Sequence, residues 1–521
     1  MPLHLLSGIR SGFFIALIAM PLCLGIAIAS SCPPIAGIIT AIIGGIIVSF
    51  LGGCKLSIKG PAAGLIVIVM GAVMELGAGD LTAGYKKFLA IAVIAALLQI
   101  ILVFFKTARF GRLMPPSVIH GMLAAIGIII VAKQIHILVG ATPHQKTTLA
   151  LIGEVPHSIL NINPELAFIG IFTLACMILI PLIPSKIIKI IPPALVALFV
   201  VVPLGIIWHL KIPHSYHVLD HDFLVGPSNL VNIPSNIFNS LVFPDFSVLM
   251  EPTAYKFIIM LALIGSIESV LTVIAVDSID QTKTKSNLNK DLLGIGIGNL
   301  ICAFIGGLPM ISEVVRSKAN IDNGAKDHWS NFFHGCFLLI AVVWAAPLIQ
   351  QIPLAALAAM LIVTGLRLAS PSTFIKTYKI GIDQLALFMT TLVVTLCSDL
   401  LVGITTGMLL KIIIHLIRGV KLKTIISISV RVDQLPTYSQ ITVLGPAIFS
   451  NYFSLQKYIN RELNTNKKVI VDFTQANLVD HTTLSCLYSW IDEIGIDRLN
   501  LIGLEKLSKN SDHPLSTHKF A

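Results

Sequence analysis

The sequence predicts an all-α polytopic membrane protein with a small cytoplasmic α/β module at its C-terminal end. Three observations lead there. Mean hydropathy is +0.89, with 55% hydrophobic and only 12% charged residues in 521, about half the charged fraction of a soluble domain. Long apolar runs recur up to about residue 423, after which short strand and helix patterns alternate. Two of the apolar runs also break at matching points, once in each half of the chain.

Residues 11–29, 35–51, 88–105, 166–183, 258–276 and 400–417 are each long enough to cross about 30 Å of hydrocarbon. The full pattern gives about fourteen spans. Basic residues fall on alternate connections: Arg10; Lys55; Lys106, Arg109 and Arg112; Lys186 and Lys189; Lys283, Lys285 and Lys290; Arg316, Lys318 and Lys326; Arg367, Lys376 and Lys379; Arg418, Lys421 and Lys423. The intervening connections carry only Lys86, Lys87, Lys146 and Lys211. By the positive-inside rule both termini are cytoplasmic, in a multi-pass protein of the inner (plasma) membrane. The net charge of +10 is thus a topology signal, and its dispersal over short loops argues against nucleic acid as a partner.

No cleavable leader is expected, because the first apolar run lacks a small-residue cleavage site before a soluble domain. The eight cysteines are scattered without a C-x-x-C pair, so neither a disulfide framework nor a zinc site is expected. No phosphate-binding Gly-rich loop with Lys and no metal-ligand constellation supports an enzyme. The loop 209–251 holds His214, His217, His221, Asp220 and Asp222, read as solvated rather than as a metal or pH-sensing cluster.

The first break runs from Gly52 and Gly53 through Lys59, Gly60, Pro61, Ala62 and Ala63, with an apolar helix resuming over 65–73. The second runs from Gly306 and Gly307 through Pro309, Ser312, Glu313, Val314 and Arg316. Each is read as a helix that stops at Gly-Gly and restarts with a proline at its opening. Such a restart leaves free N–H groups and a positive dipole end inside the membrane, a ready anion site. Similar segments precede both breaks, and roughly seven spans per half would enter the second copy inverted.

Ionisable groups inside spans are the informative ones. Glu268 lies mid-span with Thr272 one turn later, two oxygen groups suited to Na⁺ or a transferable proton. Lys59 either helps to hold the anion, pairs with Glu313 or Glu268, or snorkels to the interface. Glu313 suits a helix start but would repel the anion, unless Arg316 neutralises it or it is protonated when substrate binds.

Beyond residue 423, 426–432, 441–444, 468–473 and 499–502 read as strands and 453–463 and 482–494 as helices, a small module with a mixed sheet. The expected organisation is 1–423 membrane transport domain, 424–508 α/β domain and 509–521 flexible tail.

The runs Leu56 to Gly64, Gly265 to Thr272 and Gly307 to Ser317 resemble the SulP family of sulfate permease-like anion transporters. Val469 to Phe473 followed by Leu478 to Leu484 looks like a STAS domain. The resemblance implies two inverted seven-span repeats with two half-helices, divided into core and gate subdomains, usually in a homodimer. It implies an anion, bicarbonate or sulfate, held at Lys59, Gly60, Pro61, Ala62, Ala63, Ser312, Glu313 and Val314, with Arg316 as charge partner. Cation coupling would fall to Glu268, Thr272 and Glu313, and transport would be a secondary active, elevator-type movement.

No cofactor is implied beyond co-transported Na⁺ or H⁺, and a separate carbonic anhydrase would suit a bicarbonate carrier. The sequence departs from the family pattern at Lys59, where a small polar residue is commoner. Glu268 is one methylene longer than the aspartate of sodium-coupled relatives, and Thr482 and Thr483 replace the phosphorylated serine of related bacterial regulators. The competing readings are a nucleobase permease of the same fold, which Glu313 would suit, and a membrane-anchored STAS sensor without transport.

Overall fold

The computed structural model describes residues 3–105, 114–143, 145, 147–184, 192–218, 221–234, 240–280, 285–398, 400–465 and 468–520. Among the basic residues assigned to loops, Lys106, Arg109, Arg112, Lys146, Lys186, Lys189 and Lys283 lie outside the described residues, as does Asp220. The chain divides into two compact units, Met1–Gly111 with Ile126–Arg367 and Arg112–Ala125 with Leu368–Ala521.

The helices of the first half are α1 (Leu3–Ala29), α2 (Pro34–Ile46), α3 (Val48–Leu51), α4 (Ile66–Gly77), α5 (Leu81–Phe104), α6 (Pro116–Leu138), α7 (Thr148–Leu160), α8 (Pro164–Leu179) and α9 (Pro193–Ile207). Then follow α10 (Pro252–Ile279), α11 (Leu288–Ile305), α12 (Val314–Asp322), α13 (Trp329–Trp344), α14 (Ala346–Ile349) and α15 (Leu354–Leu368). The second unit adds α16 (Pro371–Ile380), α17 (Ile382–Cys397), α18 (Leu400–Ile417) and α19 (Leu422–Ile426). Among the described residues, eight helices are long and apolar enough to span a membrane, and six more apolar ones have 10–17 residues.

Their starts are chemically marked. Proline opens α2, α8, α9, α10 and α16, where its missing N–H has no helical acceptor to lose. Asp80 caps α5 by accepting from the N–H groups of Thr82 and Ala83, and Asn287 caps α11 from Lys290, each supplying an orphan donor with its acceptor.

Packing in the first unit repeats itself. α1 lies on α13 as α10 lies on α5, and α2 lies on α13 as α11 lies on α5. The faint sequence likeness between the halves thus has a structural counterpart, each half lending one helix to the other's bundle.

The two breaks meet. Ile58–Pro61 forms β1. A hairpin of β2 (His214–Val218) and β3 (His221–Val225) then occupies part of the long loop read as solvated. Met310–Glu313 forms β4, which pairs antiparallel with β1: Ile58 opposite Glu313, Lys59 opposite Ser312, Gly60 opposite Ile311, Pro61 opposite Met310.

This corrects the expected geometry, because neither proline opens a helix. Pro61 belongs to β1 and Pro309 precedes β4, while the helical turns begin at Ala63 and Val314. Extended chain is possible at this depth because each strand satisfies the other's backbone groups inside the protein. Gly306 ends α11 at φ +89°, a left-handed conformation that a side chain would strain.

In the second unit the module contains β5 (Val430–Gln434), β6 (Tyr438–Val443), β7 (Gly445–Ala447), α20 (Tyr452–Leu463), β8 (Lys468–Asp472), β9 (Ala476–Val479), α21 (His481–Ile494) and β10 (Leu499–Ile502). β10, β8 and β6 are parallel neighbours and β5 is antiparallel at the edge. Val443, Leu455, Ile459, Val469, Val471, Phe473, Leu484 and Leu487 form its core.

The C-terminal residues, expected to be a flexible tail, are instead folded. β11 (Ser508–Lys509) pairs with β12 (His518–Lys519), which pairs antiparallel with β9 and extends the sheet begun by β7. Ser516, Thr517 and His518 are buried. Polar composition suggested fraying, but the unpaired edge of β9 supplies the backbone partners that hold the segment.

Candidate functional site: two crossed helix breaks

Alternation along β1 and β4 sorts the break residues onto two faces. Lys59 and Ser312, opposite one another, face α11, where Asp291 lies. Lys59 Nζ is 3.1 Å from Asp291 Oδ1, both side chains about 1% exposed. Lys59 Nζ also donates to the Cys54 carbonyl at 3.1 Å and to Ser57 Oγ. Asp291 accepts from the N–H groups of Gly53 and Cys54, both at 3.0 Å, and from Ser312 Oγ at 3.1 Å. Burying either charge alone would be costly, and these hydrogen bonds are what make the pair tolerable.

Lys59 therefore neither snorkels nor pairs with Glu313 or Glu268. It staples the first break to α11, and Ser312 belongs to the same layer. Asp291 was missed because it sits in the first turn of α11 beside a run of lysines, where it reads as a helix-start acid.

Around this layer, side chains take up the backbone groups the breaks leave unpaired. Asn299 Oδ1 accepts from the Met310 N–H at 2.6 Å. Thr40 Oγ1 accepts from the Leu308 N–H at 2.6 Å. Ser317 Oγ accepts from the Ile58 N–H at 2.9 Å, and Asn320 Nδ2 donates to the Leu56 carbonyl at 2.9 Å. Each replaces a hydrogen bond that water would make in solution.

The other face of the strand pair carries Gly60 and Glu313, and here Arg316 enters. Arg316 is 2% exposed. A Cβ on Gly60 would lie 2.3 Å from its Nη1, so the missing side chain is what lets the guanidinium reach the strand. Its hydrogen bond among the described residues runs from Nη1 to Cys23 Sγ, at 3.5 Å, a weak acceptor for a group with five donors. Glu313 lies within electrostatic reach of Arg316 and accepts from the Ala63 N–H, while its Oε1 has no partner. Among the described residues no ion pair joins Arg316 to Glu313.

Glu268 approaches from α10. A Cβ on Gly64 would stand 1.9 Å from its Oε1, so its carboxyl occupies the space a larger residue 64 would fill. Both carboxyl oxygens are buried without a hydrogen-bond partner, and Glu313 is near enough to act on it electrostatically. Thr272 is buried one turn further on. His334 on α13 is fully buried with neither ring nitrogen bonded, within electrostatic reach of Arg316.

The structure thus gathers Gly60, Ala62, Ala63, Glu313, Arg316 and Glu268 at the two helix starts. It moves Lys59 and Ser312 to the supporting layer, and Val314 is partly exposed. Cys23 and His334 were not legible, since a lone cysteine and a lone histidine in apolar helices carry no spacing signal.

A buried, under-bonded cation between two helix starts, in an apolar helical bundle whose halves repeat their packing, fits a membrane anion transporter. The profile of the Sulfate permease family matches residues 5–391, and the chain belongs to that family, whose members are transporters rather than enzymes. It is 26% identical over 470 residues to the "Putative sulfate transporter YvdB" of Bacillus subtilis, covering 88% of this chain and 84% of that protein. It is 27% identical over 405 residues to the "Bicarbonate transporter BicA" of Picosynechococcus, covering 77% and 68%.

Among solved structures, the transmembrane domain of a cyanobacterial bicarbonate transporter BicA superposes with a TM-score of 0.64 at 25% identity, over 77% of this chain and 98% of that one. The structure of SLC26A9 gives 0.68 at 14% identity, over 96% and 84%, a likeness of fold.

Proposed function

We propose that the protein is a secondary active transporter of a small inorganic anion, bicarbonate or sulfate, driven by H⁺ or Na⁺. The observation that carries this reading is Arg316, buried against Gly60 with a thiol as its described acceptor. An anion placed between Ala63 and Arg316 would receive backbone N–H groups, two helix dipoles and a bidentate guanidinium.

Glu313 and Glu268 set the coupling. Two neighbouring carboxyls in a low-dielectric site cannot both be charged without large cost, so anion binding beside Glu313 favours uptake of a proton. Sodium is the second reading, supported by the oxygen of Thr272 one turn from Glu268.

The packing supports fourteen spans, with α1, α2, α4, α5, α6, α8 and α9 answered by α10, α11, α12, α13, α15 continued by α16, α17 and α18. Both termini would then be cytoplasmic, with the C-terminal module serving as a STAS domain, in a homodimer of the inner membrane. In transport, a core built on the crossed breaks would move against the remaining helices in elevator fashion. A separate carbonic anhydrase partner would fit bicarbonate as cargo.

The test is uptake into proteoliposomes of labelled bicarbonate, sulfate, succinate and uracil under separate Na⁺ and pH gradients. Accumulation of bicarbonate or sulfate is expected, with Arg316→Gln losing it and Glu268→Gln losing its response to the driving gradient. Uracil accumulation without any anion would overturn the reading in favour of a nucleobase permease. No uptake of anything by folded protein would favour the sensor.

A further inference from the structure

Of the four basic residues that break the alternate-loop pattern, Lys146 lies outside the described residues and Lys87 pairs with Glu251 at 2.6 Å. The other two, Lys86 and Lys211, line the same cavity. It has a volume of about 980 Å³ and opens among the α1–α2 turn, the start of α5, the segment after α9 and the start of α15. Its walls hold Lys86, Lys211, Ser31, Cys32, Tyr85 and Gln350 among their polar residues and, among the described residues, no carboxylate. Asp245, half-buried outside the cavity wall, lies within electrostatic reach of both Lys86 and Lys87.

A third cation stands behind the wall. Lys133 on α6 is half-buried and sends its Nζ to the Ala29 carbonyl at 3.1 Å, Ser31 Oγ at 3.3 Å and Met70 Sδ at 3.0 Å. All three acceptors are neutral, and among the described residues no carboxylate pairs with it. This contrasts with Lys59 and Lys411, which are more deeply buried and both have aspartate partners. An ionisable side chain placed in a span without a counter-charge marks an ion pathway more often than a packing element.

Ser31, which joins Lys133 to the cavity, has φ +59°. A non-glycine residue in the left-handed region is strained and persists where its surroundings hold it. Tyr85, another wall residue, donates to the carbonyl of Gly306 at 2.5 Å. One side of the cavity is therefore tied to the glycine that ends α11 ahead of the second break.

We infer that this cavity is a second anion site, a vestibule in which Lys133, reached past Ser31, holds the transported inorganic anion while Lys86 and Lys211 draw it in. The inference rests on the anion-transport reading above and extends it to the access route. A cavity lined by one sign of charge with low-dielectric walls concentrates counter-ions, and Lys133 can exchange its neutral acceptors for an anion's oxygens. With the termini cytoplasmic, the vestibule faces the opposite side of the membrane, and Lys133 acts on capture there rather than on translocation.

The experiment uses the full-length protein in proteoliposomes with two readouts. In the first, Lys133→Gln is expected to raise the KM for sulfate or bicarbonate offered to the vestibule side about tenfold, with kcat held within about twofold. Lys133→Arg is expected to restore the KM. In the second, Ser228→Cys on the cavity wall, introduced where the native free cysteines, Cys32 of the same wall included, are replaced by alanine, is labelled with an impermeant maleimide. Sulfate and bicarbonate, tested as separate probes, should slow labelling in the Lys133 background and not with Lys133→Gln.

An unchanged KM, a fall in kcat alone, or protection that survives Lys133→Gln would overturn the inference. If the wild type moved no anion, the transport reading would fail by itself. Protection lost on Lys133→Gln would still establish the vestibule site, and absent protection would remove it.

Discussion

At the residue scale, two glycines separate a functional clash from a structural one. A Cβ on Gly64 meets the carboxyl end of Glu268 at 1.9 Å, whereas one on Gly37 meets the Cys23 carbonyl at 2.0 Å. A side-chain end can swing away; backbone inside a helix cannot. Gly64→Ala is therefore expected to fold with about 1–3 kcal/mol of destabilisation, yet to displace Glu268 and lose gradient-driven uptake. Gly37→Ala is expected to fail to fold, as seen by aggregation in size-exclusion chromatography.

The Lys59–Asp291 pair makes a second prediction. Asp291→Asn leaves a buried ammonium without its counter-charge and should cost about 3–5 kcal/mol in thermal melting. The double variant Lys59→Met with Asp291→Leu should recover much of that loss. Equal destabilisation by the single and double variants would argue against a charge-pair role.

At the element scale, the start of α21 is fastened to α18 within the second unit. Asp480 caps α21 by accepting from the Thr483 N–H at 2.8 Å and accepts from the Phe449 N–H at 3.1 Å. Its carboxylate pairs with Lys411 at 2.9 Å, with His415 Nε2 at 3.4 Å. Lys411 also donates to Thr482 Oγ1 and lies over the Phe449 ring. Burial acts first to raise the Asp480 carboxyl, but Lys411, His415 and Thr483 together overcome it and hold it well below the usual carboxylate range.

The sign follows from that depression. The stabilisation is complete above the unfolded value of about 3.9 and is lost only as pH falls through the lower folded value. Between pH 5 and 8 this group should leave the melting temperature unchanged. Asp480→Asn should lower it across the whole window, by about 3–5 kcal/mol in free energy, because Lys411 is left unmatched. A wild-type melting temperature that fell steeply between pH 6 and 5 would assign acid sensitivity to other groups.

At the scale of the whole molecule, the C-terminal residues complete the second unit. Thr517 Oγ1 donates to Asp383 Oδ2 at 3.1 Å, the same oxygen that Arg418 Nη1 reaches at 3.1 Å. Ser511 Oγ donates to the carbonyls of Lys379 and Ile380 at 2.9 and 2.8 Å. Removing residues from 508 onward should expose the edge of β9, loosen the α16–α17 connection and speed limited proteolysis of the module. Proteolysis and melting unchanged by that truncation would restore the free-tail expectation.

What was legible in the sequence follows from where each signal resides. Composition and apolar run length are properties of neighbours along the chain. They sufficed for the membrane class, the alternation of basic loops, the α/β character of the last hundred or so residues, and the existence of two breaks. Glu268, Glu313 and Arg316 were also legible, because an ionisable residue in an apolar segment is anomalous wherever it falls. Which of these residues face one another was decided only by tertiary structure.

Pairing β1 with β4 joins segments about 250 residues apart, and its one-residue alternation sends Lys59 to Asp291 while turning Gly60 toward Arg316. Nothing local to residue 59 or 60 distinguishes those faces. The sequence by itself determined that this chain lies in a membrane and places polarised breaks there. The crossing of the breaks decided which buried charge is paired and which keeps only a weak acceptor, because burial and pairing, not residue type, set the cost of a charge.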